Sequence, residues 1–178
     1  MCIRDRNYTD YLLSLNMTAV IRDFDDVYIQ RIAQLTNKSN QFNLTTKRFT
    51  QAEMEAIMAD DRYVRLYGKL EDKYGDNGVI TVVLGRKEGT VLHIELWLMS
   101  GRVLKRGMED AMMDTLAAKA AAAGYTALEG YYYPTAKNAM VREFYAGYGF
   151  EKTAEDADGN TTWRLDLAAY NPRCPHIK

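Results

Sequence analysis

Residues Thr90–Met108, TVLHIELWLMSGRVLKRGM, join a predicted strand to a predicted helix and indicate the fold more clearly than any other segment. Apolar side chains alternate with other side chains along Thr90–Met99, which is typical of a strand with two differently covered faces. The alternation predicts one face made of Leu92, Ile94, Leu96 and Leu98, and a second made of His93, Glu95, Trp97 and Met99. After this strand, apolar residues at helical spacing predict a long helix over about residues 104–123.

Three basic side chains, Arg102, Lys105 and Arg106, crowd the N-terminal end of this predicted helix. Cations oppose the positive end of the helix dipole, so helix stability does not account for them. A phosphate would account for them, because free backbone N–H groups, the dipole and the basic side chains would converge on it. Gly107 would let the backbone approach the anion closely. The alternative is a solvated basic turn whose charges pair with acidic side chains elsewhere.

The periodicity of the whole chain predicts the element order β-α-α-β-β-β-α-β-α-β-β. A meander followed by a β-α-β crossover gives an α/β fold of the α+β type, with a mixed, mostly antiparallel, twisted sheet and helices on both faces. Thr50 and Glu53 form a capping box at the start of the second helix. Asp76–Gly78 predicts a turn. Asn138–Tyr148 predicts the fourth helix, with Gly149 just after its end.

The pattern divides the chain into three parts. Residues 1–16 combine a non-native leader with the remnant of an upstream helix, residues 17–170 form the domain, and residues 171–178 form an irregular tail. A helix that starts upstream of the first residue leads us to expect that this sequence is a piece of a longer protein.

Composition argues against several classes of protein. The 178 residues include 23 Lys and Arg against 24 Asp and Glu, and a net charge of −1 argues against a dedicated nucleic-acid-binding face. No apolar run approaches the roughly 20 residues of a membrane span. Cys2 and Cys174 form no metal-binding or disulfide pattern, and the common metal, nucleotide and hydrolase motifs are absent from the sequence. We therefore expect a cytoplasmic protein with no nucleic-acid, membrane or metal partner.

Three further side chains suit acid–base chemistry or cofactor binding. Glu95, next to the indole of Trp97 on the predicted face, is a candidate base, acting directly or through water; the alternative is a carboxylate at the solvent side of the sheet. Asn138 and Tyr145 are seven positions apart, so a helix would put both on one face. There the tyrosine would give a proton to a leaving thiolate while the amide binds the polar chain of a cofactor. The alternative is a core tyrosine beside a surface asparagine.

These features together resemble the GNAT acyltransferase fold over about residues 17–167. In that family a Gln/Arg-x-x-Gly-x-Gly/Ala loop binds the pyrophosphate of acyl-coenzyme A; Arg102 and Gly107 match its ends, and Lys105 replaces its middle glycine. The resemblance implies that Tyr145 is the general acid and Glu95 the base. The cofactor-binding residues that it implies are Leu98, Met99, Ser100, Arg102, Val103, Leu104, Lys105, Arg106, Gly107, Met108 and Asn138.

A narrower resemblance rests on longer segments. RIAQLTNKSNQFNLTT at Arg31–Thr46, YGDNG at Tyr74–Gly78, WLMS at Trp97–Ser100 and YPTAKN at Tyr133–Asn138 are similar to the C-terminal half of FkbH-like proteins. Those proteins join a HAD-type phosphatase domain to a GNAT-like domain, and they load a glyceryl unit from a phosphorylated glycerate onto an acyl carrier protein. The resemblance implies a carrier-protein partner and an upstream phosphatase domain. The residues that it implies for acyl contact are Asn40, Gln41, Asn43 and Thr46.

The chain departs from the FkbH-like pattern at Gly101, where the resemblance leads us to expect a cysteine. If that cysteine carries the acyl group, this chain cannot form the thioester there. The function predicted is acyl transfer from a phosphopantetheine thioester, on coenzyme A or on an acyl carrier protein. One alternative is a catalytically silent module that docks a carrier protein for the phosphatase domain, and another is a generic N-acetyltransferase.

Overall fold

The structure, a computed structural model, describes residues 18–39, 41–72, 75–100 and 108–170. The described residues form the strands β1 (Thr18–Arg22), β2 (Tyr63–Asp72), β3 (Gly75–Glu88), β4 (Val91–Met99), β5 (Ala127–Tyr132), β6 (Glu151–Glu155) and β7 (Thr161–Asp166). They form the helices α1 (Ile29–Lys38), α2 (Gln51–Met58) and α3 (Met108–Ala122), and short 3-10 turns at Ala139–Val141, Ala146–Tyr148 and Leu167–Ala169. The predicted leader and tail lie outside the described residues.

These strands form one mixed sheet in the order β1-β2-β3-β4-β5-β7-β6. Neighbouring strands pair antiparallel except β4 and β5, which pair in parallel. A parallel pair needs a long crossover connection, and α3 supplies it. The predicted class, an α/β fold with a mixed and mostly antiparallel sheet, is confirmed.

Helices pack against both faces of the sheet, as predicted. On one side, Ile32 of α1 and Met54 of α2 pack with Leu96 of β4. On the other side, Met112 of α3 packs with Trp97 of the same strand. We call these two sides the α1 face and the α3 face. No helix in the described ranges is long and apolar enough to cross a membrane.

Local capping signals behave as the sequence predicts. The Thr50 hydroxyl accepts from the Glu53 N–H at 3.1 Å, and the Glu53 carboxylate accepts from the Thr50 N–H at 2.9 Å. These reciprocal bonds satisfy two donors at the start of α2, so the capping box is confirmed. After α3, Gly124 has φ 92°, the left-handed conformation that often follows the C-terminus of a helix.

The predicted helix over Asn138–Tyr148 is wrong. The segment forms two 3-10 turns, Ala139–Val141 and Ala146–Tyr148, joined by a turn. Its aromatic residues and its glycine have low helix propensity. Because those aromatic rings pack into the core on the α3 face, tertiary contacts favour the tighter turns over a regular helix.

The predicted turn at Asp76–Gly78 is also wrong. These residues belong to β3, which already pairs with β2 at Gly75, opposite Asp72. Gly78 has φ 69° and lies near irregularities in the β2–β3 register. Its left-handed backbone therefore serves a bulge within the strand, which the sequence signal does not distinguish from a turn.

A bulge in β4 changes which side chains share a face. Leu84 of β3 pairs with Leu96, but the next residue, Gly85, pairs with Ile94, so Glu95 is an extra residue in the strand. The side chains of Leu96 and Leu98 join the cluster on the α1 face, and those of Leu92, Ile94, Trp97 and Met99 join the cluster on the α3 face. The two predicted faces of this strand are therefore wrong, because one extra residue shifts a period of two.

Candidate active site

The strands β4 and β5 pair only along their N-terminal parts. Their parallel pairing runs from Val91 opposite Ala127 to Ile94 opposite Gly130. Both strands continue beyond this point without pairing to each other, and we call their separated C-terminal ends the fork. The bulge at Glu95 lies where the fork opens. Bulges and strand ends of this kind often border ligand sites, because they leave main-chain groups available and redirect side chains.

The segment Phe42–Thr45 occupies the fork, where Asn43 forms an isolated antiparallel bridge with Leu98 of β4. The Leu44 N–H donates to the Trp97 carbonyl of β4 at 3.1 Å. On the other side, the Tyr133 N–H, just after β5, donates to the Leu44 carbonyl at 2.8 Å. The sequence predicts this segment only as part of a polar loop, and the structure adds that the loop bonds to both sides of the fork.

The residues predicted to contact the acyl group have different surroundings. Asn40 lies outside the described residues, and Gln41 is exposed. Asn43 is completely buried, and its amide donates to the Ser39 carbonyl at 3.1 Å and accepts from the Thr46 N–H at 2.9 Å. Thr46 has φ 54°, which is rare for a β-branched residue. In this structure Asn43 and Thr46 hold the loop together, and their contact with an acyl group stays a prediction.

Asn138 joins the segment in the fork to the chain that follows β5. Its side chain is completely buried. Its amide N–H groups donate to the carbonyls of Asn43 at 3.0 Å and Tyr133 at 2.9 Å, and its side-chain oxygen accepts from the Thr135 N–H at 2.7 Å and the Tyr132 hydroxyl at 3.2 Å. These bonds use the whole hydrogen-bonding capacity of an amide. The structure therefore gives Asn138 a structural role, and it leaves the amide no free group for the predicted contact with a cofactor.

Tyr145 lies on the α3 face where the fork opens. Its ring covers Gly130 so closely that a Cβ there would lie 2.4 Å from the ring Cζ. The hydroxyl is buried and has no hydrogen-bond partner in the described part of the chain. Burial raises the pKa of Tyr145 well above its ordinary value, so the phenol keeps its proton at neutral pH. The predicted role as general acid stays a prediction, although the shared helix face with Asn138 does not exist.

Trp97 was not among the residues predicted to bind a ligand. Its side chain is completely buried, and its indole N–H has no hydrogen-bond partner among the residues that the structure describes. The ring of Phe144 packs against Trp97 with 5.0 Å between centroids, and against Tyr145 with 5.3 Å. No local sequence signal could have found this donor, because its lack of a partner depends on residues from three distant segments.

Glu95 lies on the α1 face of the fork. Its carboxylate accepts from Arg86 Nε at 3.1 Å and lies 3.9 Å from Lys47 Nζ. Trp97 packs on the opposite face, so the predicted neighbourhood of carboxylate and indole is wrong, and the bulge is the reason. The Glu95 side chain is 17% exposed, which lets water reach it. Its role as a base stays a prediction.

A polar cluster adjoins Glu95 on this face. His93 Nδ1 lies 2.6 Å from the Tyr131 hydroxyl, and His93 Nε2 lies 3.6 Å from the Glu88 carboxylate. Burial, together with the nearby Glu129 carboxylate, raises the pKa of Tyr131 to about 12. The fork thus has titratable side chains on its α1 face and aromatic side chains on its α3 face.

The end of β4, predicted to line a pantetheine arm, is already bonded within the sheet. The Met99 N–H donates to the Phe42 carbonyl at 3.0 Å, and the Ser100 N–H donates to the Ile80 carbonyl at 2.6 Å. Leu98 is completely buried. A pantetheine chain could bond to the Met99 N–H only after the segment at Phe42 moved, whereas the Ser100 N–H is held by Ile80 of β3. The sequence did not predict either bond.

The predicted phosphate-binding segment, residues 101–107, lies outside the described residues. α3 begins directly after it at Met108, with Glu109 and Asp110 in the first turn, where acidic side chains favour the helix dipole. The Asp110 carboxylate also accepts from the Tyr148 hydroxyl at 2.6 Å. Phosphate binding stays a prediction. Within the described ranges, no group of three or more His, Cys, Asp or Glu residues could hold a metal ion.

Solved structures with the same architecture include enzymes of acetyl transfer. Ard1 from Thermoplasma volcanium is 20% identical with a TM-score of 0.63, over 84% of this chain and 97% of that chain. The ribosomal-protein-S18-alanine N-acetyltransferase from Escherichia coli is 12% identical with a TM-score of 0.62, over 84% and 94% of the two chains. The chain has the GNAT fold.

A third structure with the GNAT fold is the spermidine N-acetyltransferase from Vibrio cholerae, solved with CoA and spermine. It is 10% identical with a TM-score of 0.65, over 86% of this chain and 98% of that chain. Identities this low show a shared fold and leave the substrates of this chain open. No protein-family model matches the sequence, and no curated protein matches it either.

Proposed function

We propose that this chain is an acyltransferase domain that uses a phosphopantetheine thioester, on coenzyme A or on an acyl carrier protein. The observation that carries the proposal is the Tyr145 hydroxyl, buried over Gly130 where the fork opens and without a partner in the described ranges. Buried hydroxyls are nearly always bonded, so an unbonded one fits a site that a ligand completes. The sulfur of a thioester, which leaves as a thiolate, would be a suitable acceptor for this donor.

The proposed transfer needs one proton donor and one proton acceptor. As the nucleophile of the acceptor attacks the thioester carbonyl, the C–S bond breaks and the sulfur takes the Tyr145 proton. The proton of the nucleophile passes to Glu95 through water. Apolar surroundings that raise the pKa of Tyr145 also raise the pKa of a thiol beside it, so the departing thiolate is a stronger base there than in water. Tyr145 then regains its proton from solvent and Glu95 returns its proton to solvent, which completes the proton balance.

The positions of these two residues imply a direction for each substrate. Tyr145 lies on the α3 face, and Glu95 lies on the α1 face with its carboxylate partly exposed. The thioester would therefore approach from the α3 face and the acceptor from the α1 face.

The resemblance to FkbH-like proteins supports a narrower form of the proposal. In that form the domain loads a glyceryl-type acyl unit for an acyl carrier protein and works with an upstream HAD-type phosphatase domain. Three segments that carry the resemblance, Arg31–Thr46, Trp97–Ser100 and Tyr133–Asn138, are hydrogen-bonded to one another at the fork. Residues far apart in sequence that resemble one family and meet in one place are consistent with a shared function.

A second candidate function is a catalytically silent module that docks a carrier protein. The observation that favours it is the filled fork, in which the Met99 and Ser100 N–H groups are already bonded within the chain. Gly101 in place of the expected cysteine points the same way. Carrier proteins are typically acidic, and the basic residues Arg102, Lys105 and Arg106 would steer such a partner.

Calorimetric titration with coenzyme A at low and moderate salt tests the phosphate contact. We expect binding that weakens with salt and that Arg102→Ala and Arg106→Ala abolish, because charge attraction between exposed groups is screened. Absence of binding at millimolar ligand would refute the coenzyme A form of the proposal. Salt-sensitive binding of a carrier protein without any acyl transfer would favour the docking module.

Single-turnover acyl transfer tests the role of Tyr145. Removing a general acid slows the chemical step by roughly 10²–10⁴-fold, so Tyr145→Phe should lose about that much activity. Tyr125→Phe, just before β5 and at the end of that strand opposite to the fork, is the matched control and should keep the wild-type rate. An unchanged rate in an active Tyr145→Phe preparation would remove Tyr145 from the mechanism.

A further inference from the structure

We propose that the indole N–H of Trp97 binds the carbonyl oxygen of the acyl group in the fork. The inference rests on the proposed acyltransferase function and adds a substrate-binding residue to it.

Trp97 and Tyr145 both bury a polar hydrogen that has no partner in the part of the chain that the structure describes. Both side chains are at most 1% exposed, so bulk water does not reach them. Trp163 shows the ordinary arrangement, since its indole N–H donates to the Thr161 hydroxyl at 2.9 Å. Buried tyrosine and tryptophan usually find such a partner, so two unmet donors in one region favour a ligand that brings acceptors.

Phe144 covers the approach to both donors. Its ring lies 5.0 Å from that of Trp97 and 5.3 Å from that of Tyr145, measured between centroids. Phe144 is partly exposed, whereas the two rings that it covers are buried. It lies between the two 3-10 turns, in a segment without the continuous bonding of an α-helix. Phe144 is therefore the ring that an incoming thioester would displace.

The chemistry of the donors indicates which atom each would bind. An indole N–H can only donate, so it needs an acceptor, and a carbonyl oxygen is a much better acceptor than sulfur. An aromatic face such as that of Phe144 accepts an N–H only weakly, so exchanging it for a carbonyl oxygen is favourable. With Tyr145 directed at the sulfur, the carbonyl oxygen on the adjacent carbon is left for Trp97. The same bond would stabilise the negative charge that develops on this oxygen during transfer.

The test compares two probes that differ by one oxygen atom. S-acetyl-4′-phosphopantetheine has the carbonyl, and S-ethyl-4′-phosphopantetheine has the same length without it; both represent the arm shared by coenzyme A and carrier proteins. We expect the wild-type protein to bind the acetyl probe roughly fivefold more tightly, the factor that corresponds to about 1 kcal/mol for one neutral hydrogen bond. Trp97→Phe should lose this preference, and the matched control Trp163→Phe should keep it.

A second measurement keeps the inference testable if the Trp97→Phe protein does not fold. The sequence has two tryptophans, so Trp163→Phe leaves Trp97 as the only indole and its fluorescence reports on the site directly. The acetyl probe should shift its emission further to longer wavelength than the ethyl probe does, because only the acetyl probe brings an acceptor to the indole N–H. Equal binding of the two probes, or a preference that persists in Trp97→Phe, would overturn the inference alone. Failure of both probes to bind the wild-type protein would overturn the proposed function and the inference with it.

Discussion

Replacing Gly130 by alanine tests the contact that places Tyr145 at the fork. A Cβ at Gly130 would lie 2.4 Å from the ring Cζ of Tyr145 and 2.6 Å from both Cε atoms. Carbon atoms in contact prefer about 3.5–4.0 Å, so the ring or the strand would have to move by about 1 Å. The ring has little freedom to move, because it is 1% exposed and packs 5.3 Å from Phe144 and 4.9 Å from Phe150.

The sign of the effect separates this clash from an ordinary substitution. Overpacking a core lowers the free energy of unfolding by about 1–3 kcal/mol, and we expect Gly130→Ala to fall in this range. Without a clash, the same change would raise the free energy of unfolding by about 0.4–1 kcal/mol, because alanine restricts the unfolded chain. Each kcal/mol shifts Tm by about 2–4 °C for a domain of this size, so Tm should fall by roughly 2–12 °C.

Thermal unfolding followed by circular dichroism, together with urea titration, measures this change. Gly147→Ala is the matched control, because nothing lies within 4 Å of a Cβ built at that position, and it should raise the free energy of unfolding by about 0.4–1 kcal/mol. In a Tyr145→Ala background the penalty of Gly130→Ala should vanish, since the ring is gone. A Gly130→Ala protein as stable as wild type, or a penalty that persists without the Tyr145 ring, would refute the reasoning.

Three further predictions concern stability. Asn138→Ala removes the donor to the buried carbonyl of Asn43 and the partly buried carbonyl of Tyr133, so it should lower the free energy of unfolding by about 1–3 kcal/mol in urea titration. A loss below about 0.5 kcal/mol would contradict the structural role of Asn138. Thr50→Ala removes the capping box of α2 and should cost about 1 kcal/mol by the same method, and no change would mean that the cap is dispensable. The pKa values of Tyr67 and Tyr131 are raised to about 12 in the folded state, against about 10 in an unfolded chain. Their contribution to the free energy of unfolding should therefore be fully present below pH 10 and be lost as pH rises from 10 to 12. Urea midpoints across this window should fall less steeply for Tyr67→Phe than for wild type, and equal slopes would show that Tyr67 does not contribute.

The fold was predictable because its signals are local. The capping box at Thr50 involves residues three positions apart, and the helically spaced apolar residues that predict α3 are continuous in sequence. Alternation along Thr90–Met99 identified β4 as a strand, even though its predicted faces were wrong. Hydrophobic periodicity and caps act within one or two turns of chain, so one sequence is enough to read them.

The candidate site was predictable only in part. Tyr145 and Glu95 were candidates, and the structure brings both to the opening of the fork, on opposite faces of the sheet. Asn138 was expected to reach a cofactor, but its amide bonds within the chain. Trp97 was missed, because a tryptophan in an apolar strand looks the same in sequence whether or not its N–H finds a partner.

The sequence was sufficient to predict the number of strands and the order of the elements along the chain. It was also sufficient for the crossover helix and for the resemblance to the GNAT fold. Only the tertiary structure decided that β4 bulges at Glu95, that Phe42–Thr45 enters the fork, and that Asn138 closes it. The physical reason is the distance along the chain over which each interaction acts. Asn138 bonds to Asn43 across 95 positions, and no pattern of neighbouring residues records which buried donors and acceptors will meet over such a separation.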